Sequence, residues 1–162
     1  VFCSESFGLQ AILSSSIHAE WAIKWGSTLG ESFRYNPSVV FGSLPLPRVT
    51  PELEDVGKSL QDTRAEIMMR RQLGLTVLYN LINDPACSGD SDVQRLRTIH
   101  TMVDEATAAA FGWGDLRLDV GFHEYRGMTR WTIGPQARDE LLVLLREENL
   151  RASLRHPAAK AN

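Results

Sequence analysis

An amphipathic helix signal that begins at Thr50 most constrains the fold of this chain. Threonine is a favoured N-cap residue, and Pro51 suits the first helical position because no backbone N–H is needed there. Mostly apolar residues then recur every three or four positions, as they do on one face of a helix: Leu53, Val56, Leu60, Thr63 and Ile67. The pattern predicts a helix over residues 51–72 with a narrow buried face.

Three more helices are predicted after it. The second lies near Leu75–Ile82 and ends before Pro85, and the third is capped by Ser91 and stops at a C′ glycine, Gly112. The last helix starts at Gly134-Pro135 and runs to about residue 152. Residues 86–90 are predicted to be a polar, mobile loop, and segments 121–123 and 130–133 to pair as a short hairpin. The stripes of the third and last helices are Val93, Leu96, Ile99 or His100, Val103, Thr107 and Ala110, and Ala137, Leu141 and Leu144 or Leu145.

The first 48 residues have a different pattern. Residues 7–25 have helical apolar spacing, with a possible break at Ser14-Ser15-Ser16, and Gly26–Gly30 brackets a turn. Residues 35–41 are predicted to be extended, because Asn36 precedes a proline. The proline-punctuated stretch 44–48 is predicted to be an extended linker. We therefore expect a mainly α protein with a boundary between residues 1–48 and 49–162, the second part being a helical, bundle-like subdomain with a short β element.

Composition narrows the classes of function. The net charge is −3 and the sequence pI is about 5.8, which argues against a dedicated nucleic-acid-binding module. Of the 17 basic residues, only Lys24, Lys58 and Lys160 are lysine. This arginine bias suits DNA contact, but a GC-rich genome produces the same bias. No apolar run approaches the roughly 20 residues that span a membrane, so a cytoplasmic location is expected.

Motifs for catalysis or cofactor binding are not predicted in this chain. Cys3 and Cys87 are far apart, and the four histidines are scattered, so neither a disulfide framework nor a metal site is indicated. The Gly26–Gly30 loop lacks a G-x-G core, and Asn36-Pro37-Ser38-Val39 lacks the second proline and the aromatic ring of an amino-methyltransferase loop. We therefore expect no S-adenosylmethionine binding within this chain.

Several segments, in order, resemble one enzyme family. They include Ser14–Ala22, Trp25–Gly30, Arg34–Ser38, Leu44–Pro47, Leu75–Pro85, Leu96–His100, Met102–Ala106, Phe111–Trp113, Gly121–Glu124 and Arg130–Ile133. Together they are similar to the end of the target-recognition region and the helical C-terminal region of large bacterial adenine-specific DNA methyltransferases. These are the fused restriction–modification enzymes (MmeI-like) and the methyltransferases of BREX and DISARM phage-defence systems.

The resemblance implies a non-catalytic C-terminal segment of a larger enzyme, an expectation that the start at Val1 without methionine also favours. Residues 1–48 would end an α/β DNA target-recognition domain, and residues 49–162 would brace it. An N-terminal domain of the same polypeptide would transfer the methyl group from S-adenosylmethionine to adenine in double-stranded DNA.

A small basic and aromatic cluster supplies candidate DNA contacts: Lys24, Arg34, Tyr35 and Arg48. Arginine and tyrosine suit phosphate, base-edge and stacking contacts. The alternative for this cluster is that Tyr35 packs under the linker while Arg34 is solvated. The alternative for the whole chain, favoured by its acidic pI, is a stand-alone helical protein-interaction or regulatory domain without enzymatic activity.

Overall fold

A computed structural model describes residues 5–29 and 32–155, without the side chains of residues 27–34 and 155. Within these residues, two helices, a hairpin and a third helix precede four α-helices, a 3-10 helix and a second hairpin of the second part. The elements are α1 (Phe7–Ser14), α2 (Ser16–Trp25), β1 (Ser27–Leu29), β2 (Ser32–Arg34), α3 (Pro37–Ser43), α4 (Pro51–Arg71), α5 (Leu75–Ile82), a short 3-10 helix (Pro85–Gly89), α6 (Ser91–Ala110), β3 (Gly121–Tyr125), β4 (Met128–Thr132) and α7 (Pro135–Arg155). The strands form two antiparallel hairpins. The predicted class, mainly α with a short β element, is confirmed.

Local sequence signals explain where most of these helices begin and end. The Thr50 hydroxyl accepts a hydrogen bond from the Leu53 N–H and Pro51 opens α4, as predicted. Helix α6 ends just before Gly112, whose φ of +83° is the left-handed conformation that glycine adopts without strain. The helix break predicted at the serine run is also confirmed, because Ser15 is extended and its hydroxyl caps α2.

Four local predictions are wrong. The stretch bracketed by Gly26–Gly30 is not a turn, because Ser27–Leu29 forms strand β1. Residues 35–41 are not extended throughout, since α3 begins at Pro37. Asn36 is non-helical, as the following proline requires, but its side chain accepts from the Ser38 N–H, so Asn-Pro starts a helix here. The cap of α6 is Asp90 and not Ser91, because the longer carboxylate accepts from two backbone N–H groups. The predicted loop 86–90 overlaps the 3-10 helix Pro85–Gly89.

The first core lies where α1 crosses α4, with α5 and α6 completing it. The stripe predicted for α4 is buried in full, and Leu96 and Val103 of α6 face it. Gly57 allows the close approach of α1, because a Cβ at this position would overlap the Phe7 carbonyl oxygen. A glycine inside α4 therefore has a packing role that offsets its low helix propensity.

The second core joins α2, α3 and α7 to the C-terminal end of α6 and the segment before β3. Trp21 is 2% exposed and its indole N–H donates to the Val40 carbonyl at 3.1 Å. The buried apolar members are Ile17, Trp21, Ala22, Val40, Leu44, Ala108, Leu118, Ile133, Ala137, Leu141 and Leu145. Both cores contain residues from each side of the predicted boundary at residue 48, which falls in the extended stretch between α3 and α4. A functional division at that boundary stays a prediction.

No helix within residues 5–29 and 32–155 is both long enough and apolar enough to cross a membrane.

Candidate nucleic-acid interface

The four predicted DNA-contact residues lie in α2, in β2, just after β2 and in the extended stretch before α4. Lys24 is exposed in the last turn of α2, and Arg48 is exposed in the extended stretch before α4. The backbone of Arg34 lies in β2 opposite Ser27, which places it close in the fold to the end of α2. The side chain of Arg34 lies outside the described residues. Lys24 and Arg48 are therefore the two candidates whose charge is seen at the surface.

Tyr35 is partly buried and is held by histidine. Its hydroxyl lies 3.1 Å from His18 Nε2, and the two rings meet edge to face with centroids 5.8 Å apart. The other ring nitrogen of His18 lies 2.8 Å from the Leu13 carbonyl oxygen. Burial raises the pKa of Tyr35 and lowers the pKa of His18, so both are favoured in their neutral forms. The ring of Tyr35 also packs on the second core. These contacts give Tyr35 a packing role in the fold, and DNA contact by this residue stays a prediction.

A buried arginine on α6 was missed by the sequence reasoning. Arg97 is 1% exposed and its guanidinium donates to backbone carbonyls at the end of α5: Ile82 at 3.0 Å and Asp84 at 2.8 Å. A cation at this position also complements the negative end of the α5 dipole. The available signal was spacing, since Arg97 lies four residues after the buried Val93 and therefore on the same face.

The β3–β4 hairpin closes over Arg97. The guanidinium carbon lies 4.6 Å from the Phe122 ring centroid and 5.3 Å from that of Trp131, which is cation–π distance. The Trp131 backbone N–H donates to Asn83 Oδ1 at 3.1 Å. Arg97 Nη1 and Trp131 Nε1 are buried donors without a protein acceptor among the described residues. The arginine thus fastens the hairpin to the end of α5 mainly through carbonyls and rings.

Two further polar networks join distant parts of the chain. In the first network, the Tyr79 hydroxyl accepts a hydrogen bond from Arg64 at 3.1 Å and lies 2.9 Å from His100 Nε2. Burial lowers the pKa of His100 to about 4, so its ring is neutral and accepts a hydrogen bond from the Tyr79 hydroxyl. The second network consists of Glu20 on α2, Arg138 on α7 and Tyr125 on β3. It ties α2 to α7 and to the β3–β4 hairpin.

Glu20 is buried and bonded to Arg138 Nε at 3.0 Å. Desolvation raises the pKa of Glu20, while the arginine opposes this shift. The Arg138 guanidinium also lies 4.2 Å from the Tyr125 ring centroid. Burial next to Glu20 raises the pKa of Tyr125 to about 12. Glu20 therefore forms a buried ion pair with Arg138 that fixes α2 on α7.

An open groove of about 390 Å³ lies between α2 and α7. It is lined by Trp21, Trp25, Val143, Arg146, Glu147, Asn149 and Leu150. Trp25, Val143 and Leu150 are each more than 40% exposed, which makes this groove an apolar surface with charged side chains along it. Within residues 5–29 and 32–155, no three acidic, histidine or cysteine side chains are grouped so as to hold a metal ion.

Comparison of the chain with protein-family models, with curated proteins and with solved structures finds no match.

Proposed function

We propose that this chain is the non-catalytic C-terminal segment of a site-specific adenine DNA methyltransferase of a restriction–modification or phage-defence system. In that enzyme it braces target recognition and adds contacts to the DNA backbone. The cofactor S-adenosylmethionine and the catalytic loop belong to an N-terminal methyltransferase domain of the same polypeptide. The same proposal puts the protein in the bacterial cytoplasm.

One observation carries the bracing role. Segments that are separate in the sequence, and that carry the resemblance, meet around Arg97. Leu75–Pro85 supplies the carbonyls and Asn83, Leu96–His100 supplies the guanidinium, and segments 121–124 and 130–133 supply the two rings. Residues of these motifs bind one another, and a scaffold role accounts for such an arrangement better than a reactive one.

Backbone contact with DNA is assigned to the exposed basic residues of the first part, Lys24 and Arg48. Neither has an acidic partner among the ion pairs of the described residues, so neither must break a salt bridge to bind phosphate. The net charge of −3 means that the chain alone should bind DNA weakly. Its contribution is therefore expected within the larger enzyme.

The first test is the reading frame that encodes Val1. We expect the in-frame sequence upstream to encode a glycine-rich cofactor motif and an Asn-Pro-Pro-Tyr or Asn-Pro-Pro-Phe loop. A start codon directly before Val1 would refute the proposal. The full polypeptide should transfer labelled methyl groups from S-adenosylmethionine to adenine in duplex DNA.

The second test measures the phosphate contacts in that full polypeptide. Loss of one phosphate contact reduces the salt slope of DNA binding by about one, so Lys24→Ala and Arg48→Ala should each weaken binding in this way without changing cofactor affinity. Lys58→Ala is the matched control, because Lys58 is exposed but bonded to Asp62 one turn away. Salt slopes equal to that of the control would remove DNA contact from the proposal and leave bracing alone.

A second candidate, a stand-alone helical protein-interaction domain, is favoured by the groove between α2 and α7. Exposed apolar surface of this kind is typical of interaction sites. If a partner protein binds in this groove, Val143→Glu, which places a charge there, should abolish that binding. DNA methylation by the parent polypeptide should then be either absent or unaffected by the substitution. Loss of methylation in this variant with its fold intact would favour the first candidate.

A further inference from the structure

A buried carboxyl group joins α6 to the corner between α1 and α2. Asp104 is 2% exposed, and among the described residues both of its oxygens hydrogen-bond to Ser16, the first residue of α2. The Ser16 backbone N–H donates to Oδ1 at 2.6 Å, and the Ser16 hydroxyl lies 2.7 Å from Oδ2. These two bonds span 88 positions in sequence, so the contact sets how the corner lies on α6.

This carboxyl group has no ion-pair partner among the described residues: no arginine, lysine or histidine nitrogen lies within ion-pair distance of Asp104. A buried carboxylate without a cation is disfavoured, because two hydrogen bonds and the positive end of one helix must replace its hydration. Burial, aided by the neighbouring Glu105, raises the pKa of Asp104 to about 7, against the opposing effect of Ser16.

The charged and titratable groups of the surrounding elements have other contacts or lie at the surface, as Lys24 of α2 and Asp55 of α4 do. Helix α1 has none, and on α2 His18 contacts Leu13 and Tyr35 while Glu20 pairs with Arg138. Glu52 of α4 lines an open cleft together with Glu105, Arg117 and Asp119. The other contacts are Glu54 with Ser6, Lys58 with Asp62, Arg64 with Tyr79 and His100, Glu66 with Arg95, Arg70 and Arg71 with Asp90 and Asp92, and Arg97 with the α5 carbonyls.

We propose that the Ser16–Asp104 contact is a proton-dependent latch, closed when the carboxyl group is protonated and loosened when it ionises. In the closed state Oδ1 accepts the Ser16 N–H, and the protonated Oδ2 donates to the Ser16 hydroxyl oxygen. Ionisation leaves a charge that is stabilised only if water enters between α2 and α6. The corner then moves away from α6 while the cores on either side keep the chain folded. This inference does not depend on the proposed function.

The direction of the pH effect follows from linkage. The pKa of Asp104 is 3.8 when exposed and about 7 in the fold, so the unfolded chain loses its proton first as the pH rises. Stability from this group is complete below the unfolded value and is lost as the pH rises through the folded value. Within that window the folding equilibrium constant falls by up to about tenfold per pH unit.

The test combines a titration with a matched pair of variants. The Asp104 carboxyl carbon is followed by NMR from about pH 4 to pH 9, together with the exchange protection of the amides of residues 16–18. We expect the carboxyl group to titrate near neutrality and the protection of these amides to fall over the same range. Asp104→Asn keeps an acceptor for the Ser16 N–H and a donor for the Ser16 hydroxyl without ionising, so its protection and stability should not fall over that range. Glu105→Gln, which removes the charge of the exposed neighbour, should keep both transitions but move them together to lower pH.

Two results would overturn the latch. One is an Asp104 carboxyl that titrates at its ordinary acidic value. The other is titration near neutrality with unchanged amide protection in residues 16–18. If Asp104→Asn fails to fold, the wild-type titration and exchange data still decide, since neither needs the variant.

Discussion

Removing the Arg97 guanidinium should destabilise the fold although it relieves a buried charge. The group makes two short charge-assisted hydrogen bonds to the Ile82 and Asp84 carbonyls, and bonds of this kind contribute about 1.5–3 kcal/mol each. Two ring contacts add about 0.5–2 kcal/mol each. The opposing term is desolvation of a cation that has no carboxylate partner and one unpaired nitrogen, Nη1, which amounts to several kcal/mol.

The favourable contacts and the desolvation penalty are of similar size. The sign of the stability change therefore depends on which buried groups the variant leaves without a hydrogen-bond partner. Arg97→Met keeps the aliphatic stem and the contact with the rings but leaves the α5 carbonyls buried without a donor. Unsatisfied buried groups cost about 1–3 kcal/mol each, so we expect a loss of roughly 2–4 kcal/mol in the free energy of unfolding. Arg95→Ala is the control: its ion pair with Glu66 is half exposed on both sides, so its loss should cost less than about 1 kcal/mol.

Urea unfolding followed by far-UV circular dichroism measures the free energy of unfolding of both variants. A double-mutant cycle of Arg97→Met with Phe122→Leu should give a coupling energy of about 0.5–2 kcal/mol. If Arg97→Met proves as stable as the wild type, desolvation outweighs the contacts, and the reasoning that makes Arg97 the fastening of the hairpin is refuted.

Three other predictions concern packing and pH. Gly57→Ala should destabilise the protein by more than about 2 kcal/mol in the same urea assay, because the new Cβ meets the Phe7 carbonyl; Gly42→Ala, which meets nothing within 4 Å, should be neutral or stabilising. Leu96→Ala should cost about 2–5 kcal/mol, and a change below 1 kcal/mol would mean that the first core can collapse around the site. Because the pKa of His100 falls from 6.5 to about 4 on folding, stability from its neutral ring is present above 6.5 and lost as the pH falls towards 4. His100→Gln should flatten that acid limb of the pH–stability profile.

The helices of the second part could be predicted because each is defined by a local signal. The α4 stripe from Leu53 to Ile67 is buried as predicted, and Thr50-Pro51 starts that helix. The hairpin was also predictable from its residue types, and its register pairs Phe122 with Trp131. These elements depend on contacts between residues a few positions apart in the sequence. The spacing of apolar residues is therefore enough to predict them.

The polar contacts that hold the fold together could not be predicted in the same way. Asp104 meets Ser16 across 88 positions, and Glu20 meets Arg138 across 118. Periodicity shows which face of a helix is buried, but it carries no information about which distant side chain lies opposite. It also treats a buried arginine such as Arg97 as a solvated residue, because charged side chains are rarely buried without a partner.

The same contacts bear on how Tyr35 should be tested as a DNA-contact residue. Its hydroxyl is directed to His18 on α2, and its ring packs on the second core. Tyr35→Phe removes only the hydroxyl contact, whereas Tyr35→Ala also removes packing that holds the end of the β1–β2 hairpin in place. If Tyr35→Ala loses DNA binding and Tyr35→Phe does not, there are two explanations. Either Lys24 and the backbone of Arg34 are displaced, or the ring no longer stacks on a base. Only a loss in Tyr35→Ala with unchanged stability and an unchanged salt slope would identify the ring itself as the contact, because stacking on a base, unlike a phosphate contact, releases no counterion.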